Sequence, residues 1–126
     1  MKKNTLIYLC AVYFIATITI SCKNDKFPIE PIPAIVSFQN DVQPIFNSDC
    51  IVCHNETGFI APSNFKEGVS YDEIISKLLV IPNNLEASNM YQRLVGNISL
   101  MPPGSPIPQS KIDIIGEWIL QGALNN

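Results

Sequence analysis

The hydrophobic pattern divides the chain into an apolar leader, a proline-broken stretch and a run of short amphipathic segments. Leu6 to Ile20 is apolar, with Thr17 and Thr19 among the few polar interruptions, and Lys2 and Lys3 precede it. That run spans roughly 22 Å as a helix, short of a bilayer core of about 30 Å. A positive start followed by a short apolar run reads as a secretory signal over 1–21 rather than a membrane anchor. Lys23 to Val36 then carries Pro28, Pro31 and Pro33. Their fixed φ and missing donors exclude helix and central strand. Residues 22–36 are therefore expected to form an extended tether of roughly 40 Å, either free or docked as an irregular arm.

Beyond the tether, 37–126 predicts four helices. Phe38, Val42, Ile45 and Phe46 recur at helical spacing between Val36 and Cys50, with Pro44 expected to kink the stripe. Ser70 and Glu73 make a capping box ahead of Ile74, Ile75, Leu78 and Leu79, and Pro82 is the stop. A third helix is expected from Ser88 to Gly96, with Tyr91, Leu94 and Val95 inward and Met90 in the core. The last starts at a cap formed by Ser110 and Asp113. It runs through Ile112, Ile115, Trp118 and Ile119 to Gly122. No segment alternates with period two, and no Asn-Gly or Asp-Gly hairpin turn occurs. The fold class is thus all-α, with irregular connections at 55–69 and 97–109. Four short helices make a thin core for one domain of this length, so a bound group is expected to complete it.

Composition narrows the chemistry. The sequence has 126 residues; without the leader it keeps six basic and eleven acidic residues, a formal net charge of −5. No basic stripe for nucleic acid is available. The single histidine, His54, excludes bis-His metal sites, HExxH zincins and a Ser-His-Asp triad with a spare base. Asp72 and Glu73 are adjacent, but negative charge at a helix start explains them without a paired-carboxylate site.

Two cysteine motifs carry the candidate chemistry. Thr19-Ile20-Ser21-Cys22 resembles a bacterial lipobox, although Thr19 stands where leucine or valine is commoner. The resemblance implies cleavage before Cys22 and a lipid anchor on it; the alternative is an uncleaved short membrane anchor. Cys10 lies within the leader and has no role in either. The second motif is Cys50-Ile51-Val52-Cys53-His54, the C-x-x-C-H attachment pattern of one covalently bound c-type haem. Two thiols two residues apart can add to the vinyl groups of one porphyrin edge, and the next residue is then aimed at the iron. A zinc site would lack a fourth soft ligand, and adjacent Cys-His is poor chelating geometry. A thioredoxin-like dithiol expects a βαβ setting. A structural disulfide between Cys50 and Cys53 leaves His54 unexplained.

With His54 proximal, the iron's other axial position falls to Met101, Met90, a lysine or nothing. Met101 opens Met101-Pro102-Pro103-Gly104, where two prolines hold the backbone extended and the glycine permits a turn. Such a loop can press a thioether against a flat ring, so Met101 is the expected ligand; the alternative is a plain surface-loop residue. A thioether favours reduced iron and raises the potential, as suits an electron carrier.

The order helix, C-x-x-C-H, helices, Met loop and final helix resembles class I cytochrome c, and more narrowly the planctomycete-type cytochrome c domain. The residues that carry the resemblance are Phe38, Asp41 to Phe46, Cys50 to His54, Ser88, Tyr91, Leu94, Met101 to Pro103, Trp118-Ile119 and Gly122-Ala123. They cover about 38–123. The resemblance implies a small fold of about four short helices around the haem, with Phe38, Val42, Ile115, Trp118 and Ile119 meeting where the terminal helices cross. Members usually offer a proline carbonyl to the proximal histidine. Pro62 is the only proline in the loop after His54, off the usual spacing, and reads better as a core or turn proline.

The function expected is one-electron transfer, without enzymatic turnover, by an exported lipoprotein that faces the periplasm or sits on the outer membrane. A redox partner protein would dock at the haem edge, guided by charge. Two other classes compete: a haem sensor or peroxidase-like enzyme with a displaceable Met101, and an electron-relay subunit of a larger oxidoreductase. Arg93, the only arginine, is expected on the outer face of the third helix.

Overall fold

The computed structural model describes residues 31–57 and 61–126. The leader, Cys22 and most of the tether lie outside the described residues. Among the described residues there is no strand, only an isolated antiparallel bridge between Ile81 and Asn84. None of their helices is long and apolar enough to cross a membrane.

The first helical stripe is built from two kinds of turn. A π-helical turn, Phe38–Val42, runs into α1, Gln43–Asp49. Pro44 sits in the first turn of α1, where its missing N–H costs no intrahelical bond. The wider turn before it lets the Gln43 N–H reach Phe38 O, five residues back. The expected kink is thus absorbed as one π-turn. Ser37 caps the start: its Oγ accepts the Asn40 N–H at 3.2 Å, and Asp41 Oδ2 accepts the Ser37 N–H at 2.7 Å.

The second helix departs from expectation. α2 is Ser70–Ser76, and neither capping-box side chain caps it. The Ser70 hydroxyl donates instead to buried Gln43 Oε1, and Glu73 Oε2 accepts the Asn64 N–H at 3.3 Å. Tertiary partners outcompete the local cap. The helix ends well before Pro82, because Leu78 adopts φ 53°, and Leu78 is 67% exposed rather than part of the apolar face. Ile74 is buried as expected, and Val80 beyond the helix is buried too.

α3, Asn89–Leu94, follows a fully buried Ser88. The Ser88 hydroxyl does not cap the helix. It donates to Asn84 O at 2.6 Å and accepts the Ile81 N–H at 2.9 Å, pinning the preceding turn. Met90 and Leu94 face inward as the pattern implies, but Val95 is exposed. Gly96, at φ 79°, leaves the helix through the left-handed region open to glycine. α4, Gln109–Leu120, starts one residue before Ser110 and has no side-chain cap. Pro108 O instead accepts the Lys111 and Ile112 N–H groups at 3.0 and 3.3 Å.

The π-turn and α4 cross at the centre of the core. Phe38 lies 5.2 Å from Trp118 between ring centroids, and Val42, Ile115 and Ile119 are buried around them. The Trp118 Nε1–H donates to Leu124 O at 2.9 Å, so its one polar atom is satisfied without leaving the core. The chain end closes over the π-turn. Asn126 Oδ1 accepts the Phe38 N–H at 2.9 Å, and Asn126 O accepts the Gln39 N–H at 3.0 Å. The last part of the tether is docked on α4: the Val36 N–H donates to Gln121 Oε1 at 2.8 Å, and Val36 is buried.

Candidate functional site

Local backbone chemistry presents Cys50-Ile51-Val52-Cys53-His54 at the end of α1. The Cys50 N–H closes the helix on Phe46 O at 3.0 Å, and the Cys53 and His54 N–H groups both return to Cys50 O, at 3.1 and 2.9 Å. A tight turn on one carbonyl therefore holds both thiols and the imidazole at one helix end. Both cysteines are free and half-buried. Burial, with the Asp49 charge adding to it, pushes the Cys50 thiol up to about 12, so it is held protonated. Asp49 itself is pulled the other way. Burial works to raise it, but hydrogen bonds from Lys111 at 2.6 Å and Ser48 outweigh that and hold it below the ordinary carboxylate value.

His54 is oriented on two sides. Its Nδ1 lies 3.3 Å from Ser63 O, and a carbonyl can only accept, so Nδ1 carries the proton. Nε2 is left with its lone pair, and the Nδ1 contact is the ring's one hydrogen bond among the described residues. This is the tautomer an imidazole needs to ligate a metal through Nε2. The ring also lies flat on Phe65, with centroids 4.3 Å apart and planes 10° from parallel, and Phe65 stacks in turn on Phe46 at 5.2 Å. Burial lowers the imidazole below its ordinary value; the Ser63 carbonyl works against that, and the Arg93 charge adds to it. His54 is neutral at pH 7.

Met101 lines the same cavity from a loop distant in sequence. Its N–H donates to Arg93 O at 3.1 Å, which ties the proline-rich loop to the end of α3. Cys50, Cys53, His54 and Met101 all line one predominantly apolar cavity of about 320 Å³. That volume lies at the lower end of the roughly 300–1,000 Å³ of small-molecule and cofactor sites. Phe46, Phe65, Leu79, Leu94 and Ile115 supply much of its wall. Met90 also lines it, so the residue expected purely in the core borders the site as well.

One expectation is corrected. Arg93 is half-buried on the cavity wall rather than on the outer face of α3, with its Nε–H donating to Asn89 Oδ1 at 2.9 Å. Pro62 is a turn proline, as read from the sequence: it is exposed at a bend, its carbonyl accepts from Lys77 Nζ at 3.0 Å, and the carbonyl that faces His54 belongs to Ser63. The Ser63 carbonyl, the Phe65 stack and Asn89 escaped the sequence reading. Ser63 and Phe65 sit in an irregular segment, where no periodicity marks which group faces inward, and Asn89 is the first residue of α3.

The donor set suits a covalently attached haem: two free thiols on one turn, one imidazole with Nε2 available, and a thioether lining the same apolar cavity. Among the described residues no three Cys, His, Asp or Glu side chains gather as a set of metal ligands. The chain matches no family model, no curated protein and no solved structure.

Proposed function

We propose that this chain is a monohaem c-type cytochrome that transfers single electrons, exported and tethered to a membrane through lipidated Cys22. The observation that carries the reading is the convergence of Cys50, Cys53, His54 and Met101 on one apolar cavity from two distant parts of the sequence. Cys50 and Cys53 would hold the haem by thioether bonds. His54 would ligate the iron through Nε2, and Met101 through its sulfur. When bound, the haem supplies a one-electron redox centre whose potential depends on its axial ligands and surroundings.

The chain's own groups fit that role. Ser63 O keeps His54 in the Nε2-ligating tautomer. Apolar walls from Phe46, Leu94 and Ile115 exclude water and raise the cost of charge at the centre, which favours the less charged reduced state. A carrier needs little movement between its two states, and the Met101 backbone anchored on Arg93 O supports a loop held in place. No second histidine stands by to act as acid or base on a bound peroxide, which weighs against the peroxidase-like reading. A redox partner protein would dock where the haem edge is exposed.

The test is an absorption spectrum of the matured, exported protein, oxidised and reduced, with and without carbon monoxide. The expected result is a low-spin c-type spectrum indifferent to carbon monoxide, with reactivity appearing in Met101→Ala and not in Met90→Leu. Prompt carbon monoxide binding by the unaltered protein would promote the sensor or enzyme reading. Absence of covalent haem in cells with working maturation machinery would overturn the proposal.

A further inference from the structure

The carbonyl that orients His54 lies in an irregular segment, so something other than a regular ladder must hold it. Three side chains do so from both sides of Ser63. Lys77 Nζ donates to Pro62 O at 3.0 Å, and Glu73 Oε2 accepts the Asn64 N–H at 3.3 Å. Gln43 Nε2 donates to Phe65 O at 3.1 Å and is itself held by the Ser70 hydroxyl on its Oε1. Glu73 and Lys77 also pair with each other at 2.6 Å, one turn apart along α2 and its end. Ser63 is buried between these anchors, with its carbonyl turned to His54.

An exposed i,i+4 ion pair contributes only about 0.3–0.5 kcal/mol to stability. The Glu73–Lys77 pair is partly exposed on both partners. Its bonds to the backbone immediately before and after Ser63 set it apart from the other lysine ion pairs. Lys66–Glu56 and Lys111–Asp49 do not bracket the residue that faces the imidazole.

We propose that Glu73 and Lys77 are positioning residues for His54: together they hold the 62–64 backbone so that the Ser63 carbonyl stays on Nδ1. This rests on the haem reading for its redox consequence, though not for the clamp itself. A carbonyl on Nδ1–H makes the imidazole a more basic ligand, which stabilises oxidised iron. Loosening the clamp weakens that bond and raises the reduction potential.

Charge alone predicts a different pattern. Removing the Lys77 cation should lower the potential, and removing the Glu73 anion should raise it. Positioning predicts that both Lys77→Ala and Glu73→Ala raise it, so Lys77→Ala decides. The experiment is a spectroelectrochemical titration of the full-length holoprotein carrying Glu73→Ala, Lys77→Ala or Lys77→Arg. The expected change for each alanine variant is about threefold to tenfold in the relative affinity for oxidised and reduced iron, tenfold being 59 mV for one electron. Lys77→Arg, which keeps donor and charge, should restore the original potential. A lower potential in Lys77→Ala, or none of these changes, overturns the proposal.

A second readout separates the clamp from the haem reading. In the same variants, exchange of the His54 Nδ1–H with solvent, followed by nuclear magnetic resonance, should accelerate about tenfold. If no haem is attached, the functional reading fails, and this exchange measured on the haem-free protein decides the clamp by itself. Unchanged exchange would then sink it. Lys77→Met, which keeps the aliphatic stem, serves if the alanine variant loses its helical circular dichroism.

Discussion

Replacing Phe65 by alanine should destabilise the domain and release His54 at the same time. The Phe65 ring is 6% exposed and lies between the His54 imidazole at 4.3 Å and the Phe46 ring at 5.2 Å. Its backbone bonds, from its N–H to His54 O and from Gln43 to its carbonyl, survive in alanine. The loss is therefore in the side chain. Phenylalanine truncation in a core costs about 3–5 kcal/mol. Two ring contacts, each adding about 0.5–1.5 kcal/mol, place this one in the upper part of that range, near 4 kcal/mol. For a domain of this size the melting temperature should fall by roughly 15–30 °C.

The same change acts on titration. Burial is the largest cause of the lowered His54 value, so removing the covering ring should let it rise toward the ordinary 6.5. In the parent, the unfolded chain takes up a proton on His54 before the folded one does. That contribution to stability is complete above about 6.5 and is lost as pH falls through the lower folded value. In Phe65→Ala the pH window should narrow. Urea unfolding at two pH values gives the first quantity, and a nuclear magnetic resonance titration of the haem-free imidazole gives the second. A loss under about 2 kcal/mol with an unmoved titration would refute the argument that Phe65 shields His54.

Trp118→Ala should cost about 3–5 kcal/mol in urea unfolding, because it empties the centre of the π-turn crossing and removes the bond to Leu124 O. Ser88→Ala should cost about 1–3 kcal/mol by the same assay, since the half-buried Ile81 N–H loses the acceptor that buried Ser88 supplies. In the haem-free protein, Cys50 should react with iodoacetamide at pH 8 at least about a hundredfold slower than a free thiol, because only the thiolate reacts. Its raised value also has a linkage consequence. The folded state keeps a proton that the unfolded chain releases near 9, so stability is complete below that pH and is lost as pH rises toward about 12. Alkylation at the rate of free thiol, or a flat alkaline stability profile, would contradict the burial of Cys50.

The sequence by itself determined the helical class, the starts of the four helical segments to within a residue or two, and the Cys50-Cys53-His54 cluster. These follow from local physics: apolar spacing at 3.6 residues, prolines that exclude helix, and a cysteine pair two residues apart on one turn. The family resemblance, rather than the spacing, named the residues that meet at the Phe38 and Trp118 crossing, and each of them lies on the apolar stripe of its own segment. What failed were the readings in which a polar side chain was assigned to its nearest partner. Ser70, Glu73 and Ser88 look like caps, yet each bonds outside its own helix: Ser70 donates to buried Gln43 Oε1, Glu73 accepts the Asn64 N–H and Ser88 accepts the Ile81 N–H. Leu78 was expected inside, but a left-handed residue at the helix end turns it to solvent. Only the tertiary structure decided that Ser63, not Pro62, faces His54, that Phe65 covers its ring, and that Arg93 borders the cavity. Those contacts join irregular segments to distant helices, and an irregular segment carries no periodicity from which its inward face can be read.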